Sequence, residues 1–572
     1  MWVDSRICTP AALVWQDVLD GPEGEHDEPE CVVGRVEAVS AVDDEAHPAI
    51  QAFVVSVVDA QAYRGQDAGA WLLYRCVGLH AVIAIVLGAV LAASAVVTLL
   101  LRRRRAKPDR RHHDGLSRAQ LSREIGALGV RERGRHVRPT LAGVRLPPAR
   151  TVGLLLGRDA HTSVAAWASC EDSLLVVGPP RSGKTASLVV PLAQSAPGPL
   201  VATSTRPEVA RLVAPRRGDL QWAFAPASLD APPDKRIAPL RWHPASGCGD
   251  PLVAVTRAQA LVAAGSGLGG SVSNSDFWAG SAAAVMRCYL HAAALDDRPM
   301  ADLLAWPASP RHPTPIRILE RHPGAAAGWG DELRSASGDP RLAANMWAGV
   351  ARALDCLRIP SVATACSPAA EDAWTPDDLL ADPGSALWLW GDPSSQMSIA
   401  PLIAALVQAV IDTARRRAAA AEGGRLDPPL ALVLDEAANI APLPDLPVLL
   451  SDGGGTGVTT TVVLQSLAQA RGRWGEARAN AMWDAATWKL VLPGLAHSDD
   501  LASISRLAGE VEVEVATRST SRSGSGTTDT EGTMWRPRWS PDDIRRLPTG
   551  HALALSRRAA PLEIALRPYW ER

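Results

Sequence analysis

The stretch LLVVGPPRSGKTASLVVPLAQ at 174–194 decides the reading of this chain. Four apolar residues, Leu174 to Val177, run into Gly178-Pro179-Pro180-Arg181-Ser182-Gly183-Lys184-Thr185, and a second apolar run follows. These eight residues match G-x-x-x-x-G-K-[ST] in full, and the flanks supply a strand before the loop and a helix after it. Phosphate binding needs that context, because backbone N–H groups of a glycine-bearing loop cradle phosphate oxygens at a helix N-terminus. Gly178 and Gly183 allow the loop conformation and a close backbone approach. Lys184 would reach the β- and γ-phosphates, and the Thr185 hydroxyl would hold Mg²⁺. Only four of the 58 basic residues are lysine (Lys107, Lys184, Lys235, Lys489). A chance match is therefore expected only roughly 0.003 times in a chain of this composition. The expected ligands are ATP and Mg²⁺.

A phosphate loop also needs an acid at the end of a neighbouring strand. LALVLDEAAN at 430–439 supplies it: an apolar run ends in Asp435, expected on the Mg²⁺ side, and Glu436, expected to polarise the attacking water. Thirty residues beyond Asp435, Gln465 closes the run TTTVVL. An amide there can hydrogen-bond the γ-phosphate or its water and report hydrolysis; taken alone it reads more readily as a surface or capping residue.

Around these motifs, short apolar runs alternate with helical stretches, which predicts an α/β domain with a parallel-rich sheet. Candidate strands are Leu174 to Val177, Leu200 to Thr203, Trp222 to Ala225, Ala386 to Trp390, Leu430 to Leu434, Val458 to Leu464 and Trp488 to Leu492. Such runs are scarce between Asp250 and Leu380, where Ala-rich helical sequence dominates. The expected organisation is a sheet domain in two parts, 151–249 and 381–572, interrupted by an all-α insertion at 250–380. The Ser/Thr/Gly-rich stretch ATRSTSRSGSGTTDTEGT at 516–533 reads as a solvated loop.

The 572 residues leave room for two to four domains and a sizeable core, which excludes a peptide or a lone binding module. With 47% apolar and 21% charged residues the bulk is globular rather than disordered. The eight cysteines contain no C-x-x-C pair, which argues against a thiolate zinc site or a disulfide framework.

Residues 82–101 read VIAIVLGAVLAASAVVTLLL, twenty residues without a charge, followed at once by Arg102-Arg103-Arg104-Arg105. This predicts one transmembrane helix over 79–101 with the arginine side cytoplasmic. The leader, 1–78, carries 14 acidic and 4 basic residues, a balance of −10. It would lie outside the cytoplasm. Residues 102–113 hold +6 and the remainder only +1, so any nucleic-acid contact must come from local clustering of arginine. The basic stretch 102–150 is expected as a juxtamembrane linker with one short helix around Arg118 to Leu128.

With the three site elements in this order, the chain resembles the type IV secretion coupling ATPases of the TraG/TraD kind, within the RecA-like group that includes FtsK and HerA. The resemblance rests on GPPRSGKT, LRWHPASGCGDP at 240–251, DFWAGSA at 276–282, VLDEAANIAPLPDLP at 433–447, LQSLAQ at 464–469 and DDIRRLPTGHALAL at 542–555. It implies a RecA-like ATPase anchored in the inner or plasma membrane and assembled as a homo-hexamer. Such a ring would move single-stranded DNA with its attached relaxase toward the channel proteins of a type IV secretion system. The insertion would then recruit substrate. Two features depart from the family pattern. Members often have two membrane helices where this chain has one such run. Many carry an arginine about twenty residues after the acid pair; here that stretch is Asp452-Gly453-Gly454-Gly455, so the role is vacant or moves to Arg471, Arg473 or Arg506. Two other readings are an FtsK-like double-stranded DNA translocase, which usually lacks the helical insertion, and a membrane scaffold that binds nucleotide without moving anything.

Overall fold

The computed structural model describes residues 117–571 apart from 229–231, 266–274, 339 and 521–526. The acidic leader and the apolar segment at 79–101 lie outside the described residues. Fourteen strands are described: β1 (Gly153–Asp159), β2 (Ala165–Ser169), β3 (Leu174–Val177), β4 (Leu200–Ser204), β5 (Gln221–Phe224), β6 (Ile237–Pro239), β7 (Ala386–Trp390), β8 (Leu430–Leu434), β9 (Val458–Leu464), β10 (Trp488–Val491), β11 (Glu510–Thr520), β12 (Thr527–Pro537), β13 (His551–Ser556) and β14 (Leu562–Ala565). Twelve of them form one sheet in the order β2-β1-β14-β13-β10-β3-β9-β8-β4-β7-β5-β6.

From β10 to β6 every neighbouring pair is parallel. This is the mostly parallel sheet the sequence predicts, and the seven expected strands are all in it. The apolar runs of β3, β7 and β8 follow from burial on both faces. In β3, Leu175 and Val177 enter one core cluster while Leu174 and Val176 enter the other, on the opposite face. The flank β2-β1-β14-β13 is antiparallel.

Between β6 and β7 the chain is helical. The main elements are α1 (Pro251–Gly265), α2 (Ser275–Leu295) and α3 (Pro340–Leu354), and α4 (Gln396–Ala420) follows β7. Side chains from α1, α2, α3 and α4 share one continuous apolar cluster with β3, β7, β8 and β9. Helix α4 is long and apolar enough to cross a membrane, yet it is packed inside the protein, with Ile399 to Ile411 buried throughout. A helix that is apolar on all sides is satisfied equally by a protein core.

Among its described residues the stretch expected as a linker with one short helix holds the helices Arg118–Glu124 and Ala127–Val137, a 3-10 turn at Pro139–Leu141 and the start of a short helix, Ala149–Val152. The first begins at a reciprocal cap in which Ser117 and Gln120 exchange side-chain and backbone bonds.

One expectation fails clearly. Of the stretch 516–533, read as a solvated loop, residues 516–520 and 527–533 belong to an antiparallel ribbon in which β11 pairs with β12 from Glu510↔Pro537 to Thr520↔Thr527. Val511, Val513 and Val515 alternate with glutamate, a two-residue period, and the β-branched threonines suit an extended chain. Ser and Gly content concealed that pattern.

Candidate functional site

The parallel register brings the carboxyl ends of β3, β8 and β9 to one edge, which is where open α/β sheets bind ligands. Val177 pairs with Leu464 and Leu434 with Val462, so Gly178, Asp435 and Gln465 emerge side by side. The Gly178 N–H donates to the Leu464 carbonyl at 3.0 Å, fastening the loop to the end of β9.

The phosphate loop is tightly built. Gly183 has φ +85°, a left-handed conformation that favours glycine, and Arg181 is also left-handed at +64°. A Cβ on Gly178 would stand 2.8 Å from Leu492 Cβ and 2.9 Å from Ser182 Oγ. Ser182 Oγ is buried without a hydrogen-bond partner, while Pro180 and Arg181 are exposed at the rim and Pro179 is half-buried. Lys184 is buried, and its Nζ donates to the carbonyls of Gly178 at 2.6 Å and Pro179 at 3.0 Å. Burial lowers its pKa, against the pull of Glu436 and Asp435. A lysine held only by neutral carbonyls, an orphaned hydroxyl and a positive-φ glycine together fit a polyphosphate.

Beside the loop, Thr185 Oγ1 donates to Asp435 Oδ2 at 3.3 Å. Thr203 Oγ1, at the end of β4, donates to the Asp435 backbone carbonyl at 2.6 Å and fixes the strand end. Asp435 is 5% exposed; burial first and Glu436 second push its carboxyl up to about 6, opposed by Lys184 and Thr185. An oxygen pair of this kind suits a hard divalent cation.

Glu436 is half-buried and left-handed, with φ +53°. For a residue with a Cβ this conformation costs roughly 1–2 kcal/mol, and such strain persists where the surroundings over-determine it. Gln465 Nε2 donates to both Glu436 carboxylate oxygens at 2.9 Å. The structure thus brings together all the residues expected to form the site, Lys184, Thr185, Asp435, Glu436 and Gln465. Sequence reading missed Thr203, Asn439 and Gln469; the last two lie within quoted motifs, but no local signal marks their contacts.

The three arginines named as replacements differ in availability. Arg473, 7% exposed, donates to the Ala264 carbonyl at 2.6 Å. Arg471 is paired with Asp500 at 2.9 Å. Arg506 is exposed and donates to Ser503 Oγ.

Comparison with known proteins adds the following. A family model described as the TraM recognition site of TraD and TraG matches residues 429–549, which include Asp435, Glu436 and Gln465. The fold is similar to that of the bacterial conjugative coupling protein TrwBdeltaN70 in its unbound form, with TM-score 0.52 and 17% identity over 72% of this chain and 88% of that one. TrwB in complex with a non-hydrolysable ATP analogue gives TM-score 0.50 and 17% identity, covering 70% and 86% of the two chains. TrwB with ADP and Mg²⁺ gives 0.50 and 17%, covering 70% and 85%. No curated protein matches the sequence. At this identity the structural likeness establishes the fold.

Proposed function

Because the chain resembles TraG/TraD-type coupling ATPases both in a matched segment and in fold, we propose that it is a membrane-anchored conjugative coupling ATPase. The observation that carries this reading is the convergence of Lys184, Thr185 with Asp435, and Glu436 with Gln465 around one phosphate loop. ATP and Mg²⁺ are the ligands, in keeping with the nucleotide complexes of TrwB.

The residues divide the work. Lys184 exchanges two carbonyl partners for the β- and γ-phosphate oxygens, and Ser182 and the loop N–H groups supply further donors. Thr185 and Asp435 would hold Mg²⁺, which would neutralise charge on the phosphate oxygens. Glu436 accepts the proton of the attacking water as its oxygen bonds to the γ-phosphorus and the bond to the β-phosphate oxygen breaks, releasing ADP and phosphate. Gln465 holds the Glu436 carboxylate in place. At neutral pH Asp435, at about 6, is ionised and ready for the cation.

The proposed organisation places 1–78 outside the cytoplasm, 79–101 across the inner or plasma membrane, and the ATPase, 151–249 with 381–572, on the cytoplasmic side. The helical part at 250–380 recruits the cargo, single-stranded DNA with a relaxase. Six copies form the ring that meets the type IV secretion channel proteins, and arginines repeated around its pore contact phosphates. The deciding measurement is ATP turnover by the full chain in detergent or lipid, with and without DNA. Stimulation by single-stranded DNA is expected. Stimulation by duplex alone would favour a double-stranded DNA pump, and turnover indifferent to DNA would favour a scaffold.

A further inference from the structure

Glu436 sits at one end of a closed chain of amides. Asn439 Nδ2 donates to Glu436 Oε2 at 3.4 Å. Gln469 Nε2 donates to Asn439 Oδ1 at 3.3 Å, and Gln469 Oε1 accepts from the Gln465 backbone N–H at 3.1 Å. Gln465 closes the ring through its own side-chain amide on both carboxylate oxygens of Glu436. The two side chains between the fixed ends have no freedom of direction. A backbone N–H can only donate, so Gln469 must turn its oxygen toward Gln465 and its nitrogen toward Asn439. Asn439 must then turn its oxygen toward Gln469 and its nitrogen toward the carboxylate, which when ionised can only accept.

We propose that Asn439 and Gln469 are positioning residues that aim the Glu436 carboxylate from the helix α5 (Leu467–Trp474). The inference rests on the ATPase reading above and goes beyond it in naming the residues that hold the base. Every bond in the ring points toward Glu436. Gln469 is itself fixed in the first turn of α5, where Ser466 Oγ accepts from its N–H at 3.1 Å. The same helix is held from outside by three side chains. Arg473 donates to the Ala264 carbonyl in the last turn of α1, Arg471 is paired with Asp500 in the helix α6 (Ser498–Ala508), and Trp474 donates to the Leu443 carbonyl. The platform that aims the carboxylate is thereby bonded to the helical part of the protein.

The test measures kcat, KM and nucleotide affinity of the full chain for Asn439→Ala, Gln469→Ala and the double variant. Misplacing a catalytic group typically costs roughly ten- to a hundredfold. Each single variant should therefore lose about that much kcat, with nucleotide affinity and melting temperature unchanged. The double variant should lose no more than a single one, because breaking the ring once breaks it entirely. Gln469→Glu, which keeps the acceptor for Gln465 N–H but cannot donate to Asn439, should show the same loss without a change in side-chain size. Losses that multiply, or that appear in affinity alone, would overturn the proposal. Absence of turnover in the wild-type chain would instead overturn the ATPase reading and the positioning role with it.

Discussion

Replacing Asp435 by asparagine should stabilise the nucleotide-free protein while ending its chemistry. The wild-type carboxyl rises from an ordinary 3.8 to about 6, chiefly through burial and then through the neighbouring Glu436. Each pKa unit corresponds to about 1.4 kcal/mol, so at pH 7.5 the ionised carboxylate weakens the fold by about 3 kcal/mol. The sign follows from proton counting. Between 3.8 and about 6 the folded protein holds a proton that the unfolded chain has lost, so stability falls as pH rises through that window and is flat above it. Asparagine is isosteric, can still accept from the Glu436 N–H, and presents its amide to Thr185 Oγ1, a hydroxyl that can also accept. The gain should thus approach about 3 kcal/mol at pH 7.5 and shrink to about half of that at pH 5. Urea unfolding of wild-type and variant in EDTA at the two pH values reads it directly. A variant less stable than wild type, or a gain that does not change with pH, would refute the argument that buried charge at this position is held for function at the expense of stability.

Lys184→Ala should abolish ATP turnover and weaken nucleotide binding, measured by calorimetry, because it removes the only lysine in the loop and leaves the Gly178 and Pro179 carbonyls without their ammonium partner. Glu436→Gln should bind ATP and Mg²⁺ at near wild-type affinity yet fail to hydrolyse; normal turnover would remove Glu436 from the role of base. DNA stimulation of turnover should weaken steadily between about 50 and 200 mM salt as phosphate contacts give up their counterion release, and a salt-independent stimulation would count against a pore lined by arginine. For topology, a membrane-impermeant thiol reagent should label Cys8 or Cys31 in intact cells. Cys170, Cys248, Cys288, Cys356 and Cys366 are buried, so the cytoplasmic reporter must be introduced at an open position such as Leu252→Cys, at 70% exposure, and labelling of that site alone in intact cells would reverse the proposed orientation.

What could be read in the sequence was local. GPPRSGKT carries its own chemistry, and β3, β7 and β8 announce themselves because strands buried on both faces are unbroken apolar runs, while β9 does so by its β-branched Val and Thr residues. The antiparallel flank was harder to see: β1 and β2 contain Arg158, Asp159 and Trp167, and β1 finds its partner β14 only through the fold. The ribbon of β11 and β12 was hidden by Ser and Gly, although Val511 and Val513 already showed its period. The ring at Glu436 could not be read at all, since Gln469 meets Asn439 only because β8 and β9 are neighbours in register.

The antiparallel flank also sets an order of events during synthesis. Strand β10, which borders the phosphate-loop strand, takes its outer partner from β13, and Arg158 of β1 waits for Ala565 of β14. At roughly 5–20 residues per second, a ribosome needs roughly twenty to eighty seconds to travel between those two partners. Late in that interval, with the phosphate loop and the acid pair already made, β10 has an open outer edge for roughly three to twelve seconds, the time to synthesise the stretch of about 60 residues that leads to β13. The open edge of β10 is the place where a chaperone, or a second unfinished chain, would compete with β13.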